Sequence, residues 1–209
     1  VDKRIELLEK KKTLLETYKM GVMKKIFNQE IRFKNENGDD FPDWEEKRLD
    51  EISKIYQPKT ISQNQFTENG YVVYGANGPI GFYSEYNHET PQVVVTCRGN
   101  SCGTVNITTP KSWITGNGMV VNVDDNPKVS KDFIYFYLVN DNLTYLITGS
   151  GQPQITGDLK NHKINIPTEI EQVKISKFLS SIDQQLELLG TQIDKSKTWK
   201  KGLLQKMFV

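Results

Sequence analysis

The chain has 209 residues, of which 36 % are apolar and 25 % charged, a composition that supports a folded core and excludes wholesale disorder. Its longest apolar runs, 93–95 and 133–139, are too short to span a bilayer, and no charged-then-apolar leader opens the chain, so we expect a cytoplasmic protein. Two cysteines, Cys97 and Cys102, cannot make a disulfide scaffold and fit a reducing compartment.

The net charge of +1 is an average over unlike segments. Residues 1–34 carry a net charge of +5 and residues 168–209 carry +2, whereas residues 35–167 carry −6. All of that negative excess lies in 36–51, and the stretch 52–167 is balanced. Because phosphate binding depends on local basic residues, the low net charge does not exclude a nucleic-acid binder. A neutral central segment does predict few phosphate contacts of its own.

Residues 1–27 contain no proline, and their apolar residues recur at spacings of three and four, close to a heptad pattern. This periodicity predicts an amphipathic helix. Residues 28–43 are polar, with Asn37-Gly38 as a turn signal and Pro42 as a stop, and are predicted to form a linker.

From residue 44 to about 166, short β-branched and aromatic runs alternate with Gly, Asn and Pro, a pattern typical of strands joined by turns. The predicted strands are 71–74, 93–97, 103–107, 119–123 and 163–166. The predicted helices are 49–55 and 131–146, the second capped by Ser130. This part of the chain is therefore predicted to be a mixed α/β or mostly β domain.

Helical periodicity returns after Pro167. Thr168 followed three residues later by Glu171 predicts a capping box at the helix start. Gly190 and Gly202 are weak points that could bend the helix. If the helix is continuous, its roughly 40 residues extend about 60 Å.

The two helical ends are copies of each other at a constant offset of 181 residues. The identical pairs include Asp2/Asp183, Glu6/Glu187, Leu7/Leu188, Leu8/Leu189, Lys19/Lys200, Gly21/Gly202, Lys25/Lys206 and Phe27/Phe208. Any two amphipathic helices share Leu and Lys, but not the matching aromatic-Lys-x-Gly and Lys-x-Phe motifs at one offset. We therefore interpret the ends as a duplicated unit, whose apolar stripes form an antiparallel pair or a dimer seam.

The two copies differ at their starts. The second copy has an upstream start from Ile166, whereas the first opens at Val1, already inside the pattern. We expect from this difference that a longer parent carried another domain before Val1. Lys12, Lys19 and Lys200 fall on the expected seam, a departure from a simple leucine zipper.

Four short motifs follow one another along the chain, some in the central segment and some in the second helical copy. They are the domain opening 44–52, the loop 149–154, Ile166-Pro167 followed by Glu171-Gln172 and Ile175, and the closing segment 203–208. This order, together with the helical repeat, resembles the specificity subunit of type I restriction–modification systems over the whole chain, as the C-terminal half of such a subunit. Thr168 stands where the family often has a second proline, which leaves the helix start intact.

The resemblance implies an α+β fold, in which one mixed α/β target-recognition domain is flanked by two long helices that form an antiparallel coiled coil. The implied domains are a truncated conserved helical region at 1–34, the target-recognition domain at 35–166, and a second conserved helical region at 167–209.

The resemblance also implies a non-catalytic subunit that reads one half of a bipartite target in double-stranded DNA. Its partners would be methyltransferase subunits and, through them, restriction subunits, with affinity for DNA supplied largely by those partners. The seam lysines would contact the methyltransferase subunits. A self-dimer through the helices stays open as an alternative.

The residues themselves offer no catalytic constellation. The chain lacks a Gly-rich cofactor loop with an Asn/Asp-Pro-Pro-Tyr/Phe motif, and it lacks a Walker A loop, so it should neither methylate nor hydrolyse ATP by itself. Cys97 and Cys102 with the scattered His88 and His162 do not have zinc-ligand spacing. We therefore expect no cofactor and no metal.

Polar turns supply the candidate DNA-binding residues, since Arg can bridge guanine, Asn and Gln can bridge adenine, and Lys, Ser and Thr can hold phosphates. The candidates are Lys59, Thr60 and Ser62 in one loop, Asn77 in the Gly-rich turn 74–82, Arg98, Asn100 and Ser101 at a hairpin tip, Lys111, and Ser150, Gln152, Gln154 and Lys160 in and after the loop 149–154. Each of these segments also reads as an ordinary polar turn. The alternative function is a coiled-coil adaptor whose central domain binds a protein or peptide.

Overall fold

The structure, a computed structural model, describes residues 1–75, 77–149 and 151–207. Its helices and strands are, in chain order, α1 (Asp2–Phe27), β1 (Glu45–Arg48), α2 (Leu49–Ile52), β2 (Lys54–Tyr56), β3 (Tyr71–Gly75), β4 (Gly78–Tyr83), β5 (Val93–Thr96), β6 (Val105–Ile107), β7 (Trp113–Ile114), β8 (Gly118–Asn122), α3 (Lys131–Asn140), β9 (Lys163–Ile166) and α4 (Glu169–Met207). Short 3-10 turns cover Gln63–Gln65, Leu143–Leu146 and Gly157–Asn161.

The chain forms two compact units, and the predicted α+β architecture with flanking long helices is confirmed. The helical unit comprises residues 1–33 and the described residues from 174 onward, and the central unit comprises residues 34–173. None of the helices in the described ranges is long and apolar enough to cross a membrane.

In the helical unit, α1 and α4 lie antiparallel. Three ion pairs between the helices show this direction: Asp2–Lys200 at 2.6 Å, Glu9–Lys197 at 2.7 Å and Lys19–Asp183 at 2.5 Å. As the residue number on α1 increases, the number of its partner on α4 decreases. The covered side chains of α1 recur at heptad spacing at Ile5, Leu8, Lys12, Leu15, Lys19, Val22 and Ile26. Gly190 and Gly202 do not interrupt α4, which is one α-helix of 39 residues.

Two of these ion pairs are copies of one interaction. Asp2 corresponds to Asp183 and Lys19 to Lys200 in the repeat, so exchanging the two copies turns the Lys19–Asp183 pair into the Lys200–Asp2 pair. The repeated helices are thus related by a local two-fold axis. Two of the three seam lysines, Lys19 and Lys200, pair with aspartates of the facing helix, whereas Lys12 pairs with Glu16 of its own helix.

The central unit contains three small sheets. One is antiparallel with the strand order β2-β8-β5-β6, one has the order β4-β3-β7, and β1 pairs with β9. Buried Tyr74, Val94, Ile114 and Val120 pack together and join the first two sheets. The alternating turns and β-branched runs therefore form a sheet core, and α3 packs its buried Phe133, Ile134, Phe136 and Leu138 into the interior.

Both helices predicted in this unit are shorter than expected. The helix predicted over 49–55 ends at Ile52, because Ile55 joins β2 and pairs with buried Val121. The helix predicted over 131–146 ends at Asn140, and the side chain of Asn142 accepts the amide of Thr144 to start a separate 3-10 turn. Ser130 does cap α3, as predicted, by accepting the amide of Phe133 at 3.3 Å.

Sequence patterns missed four strands, β1, β2, β4 and β7. The residues of β1 are all charged, and β4 contains two glycines and a proline, so neither has the apolar alternation of a strand. Backbone pairing makes them strands: β1 pairs with the distant β9, and β4 forms a hairpin with the adjacent β3.

The β1–β9 pair brings the start and end of the central unit together. The indole N–H of Trp44 donates to the buried carboxylate of Glu171 at 3.1 Å. The neighbouring Gln172 accepts the amide of Ser130 at 2.8 Å and donates to the carbonyl of Pro167 at 2.9 Å. Glu171, predicted only as a capping residue, thus links the first α4 turn to the domain opening.

Candidate nucleic-acid interface

The loop between β5 and β6 lies directly beside the segment that follows Thr148. The amide of Ile155 donates to the carbonyl of Cys97 at 3.0 Å, and the amide of Gly99 donates to the carbonyl of Pro153 at 3.0 Å. Between these two bonds, Arg98 and Gln154 face each other as an antiparallel bridge. The candidate residues Arg98, Asn100, Ser101, Gln152 and Gln154 therefore belong to one pair of adjoining loops.

The candidate loop 149–154 is closed at its base. Thr148 and Gln154 exchange backbone hydrogen bonds of 2.8 and 2.9 Å. Gly149 has a φ of +87°, and a Cβ there would approach the carbonyl oxygen of Gln152 to 2.5 Å, so glycine is required for this turn. The candidate Ser150 lies outside the described residues, as does Phe208 of the repeat.

A second candidate loop packs next to the first pair through Cys97. The side chain of Gln57 donates to the buried Cys97 thiol at 2.9 Å, and the thiol donates to the carbonyl of Asn117 at 3.1 Å. The amide of Gly116 donates to the hydroxyl of Thr60 at 3.2 Å. Cys97 is thus a structural link, and Thr60 and its neighbour Lys59 lie close to the Arg98 loop.

Ser62 has a local role on the same loop. Its amide donates to the side chain of Gln65 at 2.9 Å, which caps the 3-10 turn Gln63–Gln65. Its exposed side chain remains accessible from solvent.

Asn77 lies in the tight β3–β4 turn, exposed to solvent. Because β3 and β7 run parallel, this turn and the residues after β7 lie at the same, C-terminal, end of the two strands. Those residues include Gly116, whose amide donates to the Thr60 hydroxyl. Asn77 and the Lys59–Thr60 loop therefore lie at the same end of these strands.

Lys111 is separated from this group. It precedes β7 and so lies at the N-terminal end of that strand, opposite the end where Asn77 lies. Its ammonium group is 3.7 Å from the carboxylate of Glu89, and its amide donates to the Glu89 carbonyl. The structure therefore gives Lys111 a local partner and does not bring it to the other candidates.

Most cations of the central unit are paired with carboxylates, but not those of the candidate loops. Among the described residues 34–75, 77–149 and 151–173, the cations outside ion pairs are Lys59, Arg98, Lys128 and Lys160. Lys160 lies exposed on the 3-10 turn Gly157–Asn161, after the closed loop. Three of these four cations, Lys59, Arg98 and Lys160, are candidate DNA-binding residues. The candidate loops therefore carry positive charge that no carboxylate of the described residues neutralises and that can bind phosphates.

Sequence reasoning missed Tyr145, which lies between the end of α3 and the closed loop. Its side chain is 66 % exposed, and its hydroxyl lies 2.6 Å from Nδ1 of His162. The only available signal was an aromatic residue shortly before a Gly-rich turn, which also fits a core position. No group of His, Cys, Asp and Glu in the described part of the chain is arranged to hold a metal ion.

The helical unit exposes a second, repeated feature. Tyr18 on α1 and its repeat counterpart Trp199 on α4 are 53 % and 59 % exposed, and the repeated Leu7 and Leu188 are also exposed. Each helix thus presents a Leu and an aromatic residue at the same spacing on the outside of the pair. Exposed apolar side chains that recur under a two-fold axis are typical of paired docking surfaces.

Comparison with known proteins places these features in a family context. The family model described as the type I restriction modification DNA specificity domain matches residues 42–196. The chain is 26 % identical to the type I restriction enzyme MjaVIII specificity subunit of Methanocaldococcus jannaschii, over 94 % of this chain and 53 % of that protein. It is 27 % identical to the EcoprrI specificity subunit of Escherichia coli, over 66 % of this chain and 35 % of that protein.

Solved structures show the same fold at low identity. The S subunit of a type I restriction-modification system from M. genitalium matches with a TM-score of 0.69 and 21 % identity, over 83 % of this chain and 47 % of that one. The HsdS subunit from Thermoanaerobacter tengcongensis matches with a TM-score of 0.60 and 17 % identity, over 99 % of this chain and 54 % of that one. The chain thus spans about half the length of these proteins, or less.

Proposed function

The chain belongs to the type I restriction–modification DNA specificity family, and from this membership we propose that its central part, residues 35–166, is a target-recognition domain that reads one half of a bipartite site in duplex DNA. The helical regions 1–34 and 167–209 space this domain from the reader of the other half. At about 1.5 Å per residue, the 39-residue α4 is about 60 Å long, more than the roughly 34 Å of one B-DNA turn.

The observation that carries this proposal is the pair of adjoining loops with unpaired cations. Arg98 and Gln154 are neighbours on the two loops and both are exposed. A guanidinium can bridge O6 and N7 of guanine, and a carboxamide can bridge N6 and N7 of adenine. Lys59 and Lys160 supply charge for phosphates, while Thr60, Ser62, Asn77, Asn100, Ser101, Ser150 and Gln152 supply neutral hydrogen-bonding groups.

Four unpaired cations in the described central unit can neutralise only a few phosphates. The domain alone therefore binds DNA weakly, and affinity comes from partner subunits. We assign the exposed Leu7, Tyr18, Leu188 and Trp199 as the docking surfaces for methyltransferase subunits, which in turn carry restriction subunits. The chain itself is non-catalytic in this scheme. A self-dimer through the same helices is the competing use of these surfaces.

Selection of bound duplexes from a randomised pool tests the reading role, with the chain assembled with the methyltransferase subunits of its own system. Arg98→Ala should relax the preference at one base pair, a loss of about 1–3 kcal/mol of discrimination, because a bidentate contact is removed. Lys59→Ala should weaken binding to all sequences alike and reduce the salt dependence, because it removes a phosphate contact.

Lys163→Ala is the matched control, since Lys163 is exposed but bound to Glu46 at 2.7 Å on the β1–β9 pair. It should leave both the selected motif and the salt dependence unchanged. An identical motif from the wild-type and Arg98→Ala complexes would contradict the loop assignment. Absence of any motif from the wild-type complex would favour the adaptor that binds protein or peptide.

A further inference from the structure

Three side chains lie in contact next to the candidate loops: Asp141, His162 and Tyr145, together called the clasp. Nε2 of His162 lies 2.9 Å from Oδ2 of Asp141, and Nδ1 lies 2.6 Å from the hydroxyl of Tyr145. A carboxylate only accepts, so the tautomer that suits Asp141 has its proton on Nε2, and in that tautomer Nδ1 accepts from the Tyr145 hydroxyl. Nε2 and the Asp141 carboxylate lie within ion-pair distance, although their alignment is poor for a hydrogen bond. The contact with His162 is the chief cause that lowers the pKa of the Asp141 carboxyl.

The clasp is anchored on rigid elements at its inner end. His162 is only 4 % exposed, and its carbonyl accepts the amide of fully buried Leu49 at 2.9 Å. Asp141 immediately follows α3, which packs into the core. A buried imidazole is costly unless its nitrogens have partners: the Tyr145 hydroxyl bonds Nδ1, and the Asp141 carboxylate lies 2.9 Å from Nε2.

The clasp also closes a loop. Tyr145 and His162 are 17 positions apart, and the residues between them include the candidates Gln152, Gln154 and Lys160. The Thr148–Gln154 bonds close only the inner part of this segment. The Tyr145–His162 bond closes its outer part, which includes the 3-10 turn carrying Lys160.

The exposure of Tyr145 shows which part of its side chain matters. With 66 % of its surface in water, the ring buries little apolar area, whereas the hydroxyl reaches a buried partner. A residue selected only for packing would not need this hydroxyl. The role that remains for it is to join the two ends of the segment 146–161.

We propose that the clasp is a positioning device that holds the segment 146–161 in the geometry that reads DNA. The proposal rests on the DNA-reading function proposed above. Tyr145, His162 and Asp141 are positioning residues in it, since they act through Gln152, Gln154 and Lys160 rather than on the bases. A loop held before binding loses less conformational entropy on binding, which favours both affinity and discrimination.

Tyr145→Phe tests the clasp with little effect on folding, because it removes one hydroxyl from a mostly exposed ring. In the full chain without DNA, amide hydrogen exchange at Thr148 and Gln154 should become about tenfold faster, as expected for the loss of one hydrogen bond. Exchange at Val94, in the buried β5, should not change. In the complex with methyltransferase subunits, the ratio of target to non-target DNA affinity should fall by about tenfold with an unchanged salt dependence.

Tyr56→Phe is the matched control, because Tyr56 makes a chemically similar bond of 2.9 Å to the buried His88 in the same unit. It should leave exchange at Thr148 and Gln154 at the wild-type rate. His162→Gln should retain most of the protection, since its amide can donate to Asp141 and accept from Tyr145, whereas His162→Ala should not.

The two measurements separate the clasp from the reading function. Unchanged exchange in Tyr145→Phe would overturn the clasp while leaving the DNA assignment intact. Faster exchange with unchanged discrimination would overturn the positioning role, and Gln152→Ala would then show whether the loop reads DNA at all. If the wild-type complex does not discriminate between sequences, the reading function fails, and the positioning proposal fails with it.

Discussion

His88 illustrates how a buried side chain of the central unit is held in one protonation state. Its Nε2 accepts from the hydroxyl of Tyr56 at 2.9 Å, and its Nδ1–H donates to the side-chain oxygen of Asn87 at 2.6 Å. Asn87 in turn bonds both the amide and the carbonyl of Ile114, which ties the histidine to β7. Burial lowers the pKa of His88, with Asp124 opposing the shift and Lys131 adding to it.

The lowered pKa of His88 predicts a loss of stability in mild acid. The unfolded chain, with a histidine pKa near 6.5, takes up its proton before the folded chain does. The free energy of unfolding should therefore fall as the pH decreases from about 7.5 to about 5.5. His88→Gln, which keeps an acceptor for Tyr56, should remove part of this fall. Urea denaturation at both pH values measures it, and equal pH dependence in variant and wild type would contradict the assignment.

At the scale of elements, the two repeated helices bury the same interaction to different depths. The Lys19 side chain is 16 % exposed in its pair with Asp183, whereas the equivalent Lys200 side chain is 41 % exposed in its pair with Asp2. Partial burial strengthens an ion pair by reducing the screening of its charges. Lys19 is therefore the energetically important member of the repeated pair.

Lys19→Ala should lower the free energy of unfolding by about 1 kcal/mol, because it removes a partly buried ion pair and the aliphatic stem that covers the seam. Lys200→Ala should cause a smaller loss and serves as the symmetry-matched control. Thermal or urea denaturation of the two variants gives the comparison. Equal losses would show that the depth of burial does not distinguish the two copies.

At the scale of the whole molecule, the local two-fold axis presents one exposed apolar motif twice, once on each helix. Tyr18 with Leu7, and Trp199 with Leu188, are exposed at the same spacing on α1 and α4. Two identical partner subunits can therefore bind one chain in the same way, each around an exposed aromatic anchor. This arrangement agrees with the proposed docking of methyltransferase subunits.

Tyr18→Ala and Trp199→Ala should each remove about half of the bound methyltransferase subunits, and the double variant should remove nearly all, since an aromatic anchor contributes about 2 kcal/mol or more. Native mass spectrometry of the assembled complex measures the bound number. Met20→Ala is the control, because Met20 is exposed but its repeat counterpart is Lys201. Equal losses from Met20→Ala, or a chain that self-associates instead, would contradict the docking assignment.

The sequence predicted those features that are periodic or local. Heptad spacing located α1 and α4, the constant offset identified them as copies, and β-branched runs located β3, β5, β6, β8 and β9. Ser130 identified the start of α3 because a cap is a contact between near neighbours. Patterns of this kind depend on residues within a few positions of each other, so they can be read without knowing the fold.

The sequence could not distinguish equivalent-looking polar residues. Lys59 and Lys111 both lie in polar turns, yet the parallel pairing of β3 with β7 places Lys111 at the other end of these strands from the Lys59 loop. Lys111 also lies 3.7 Å from Glu89, whereas Lys59 is in no ion pair with any described residue. Likewise, nothing local to Tyr145 indicates that its hydroxyl reaches His162. Such partners lie far apart in the chain and are set by strand pairing rather than by periodicity.

The sequence by itself therefore determined the two long helices, five of the strands, the repeat of the helical ends and the family, because each depends on the linear arrangement of residue types. Only the tertiary structure decided which loops adjoin, that the charged segment Glu45–Arg48 is a strand, and that Arg98 lies beside Gln154. These features depend on backbone hydrogen bonds between segments far apart in the chain. A polar turn could form such bonds with many partners, and only the packing of the whole core determines which partner it meets.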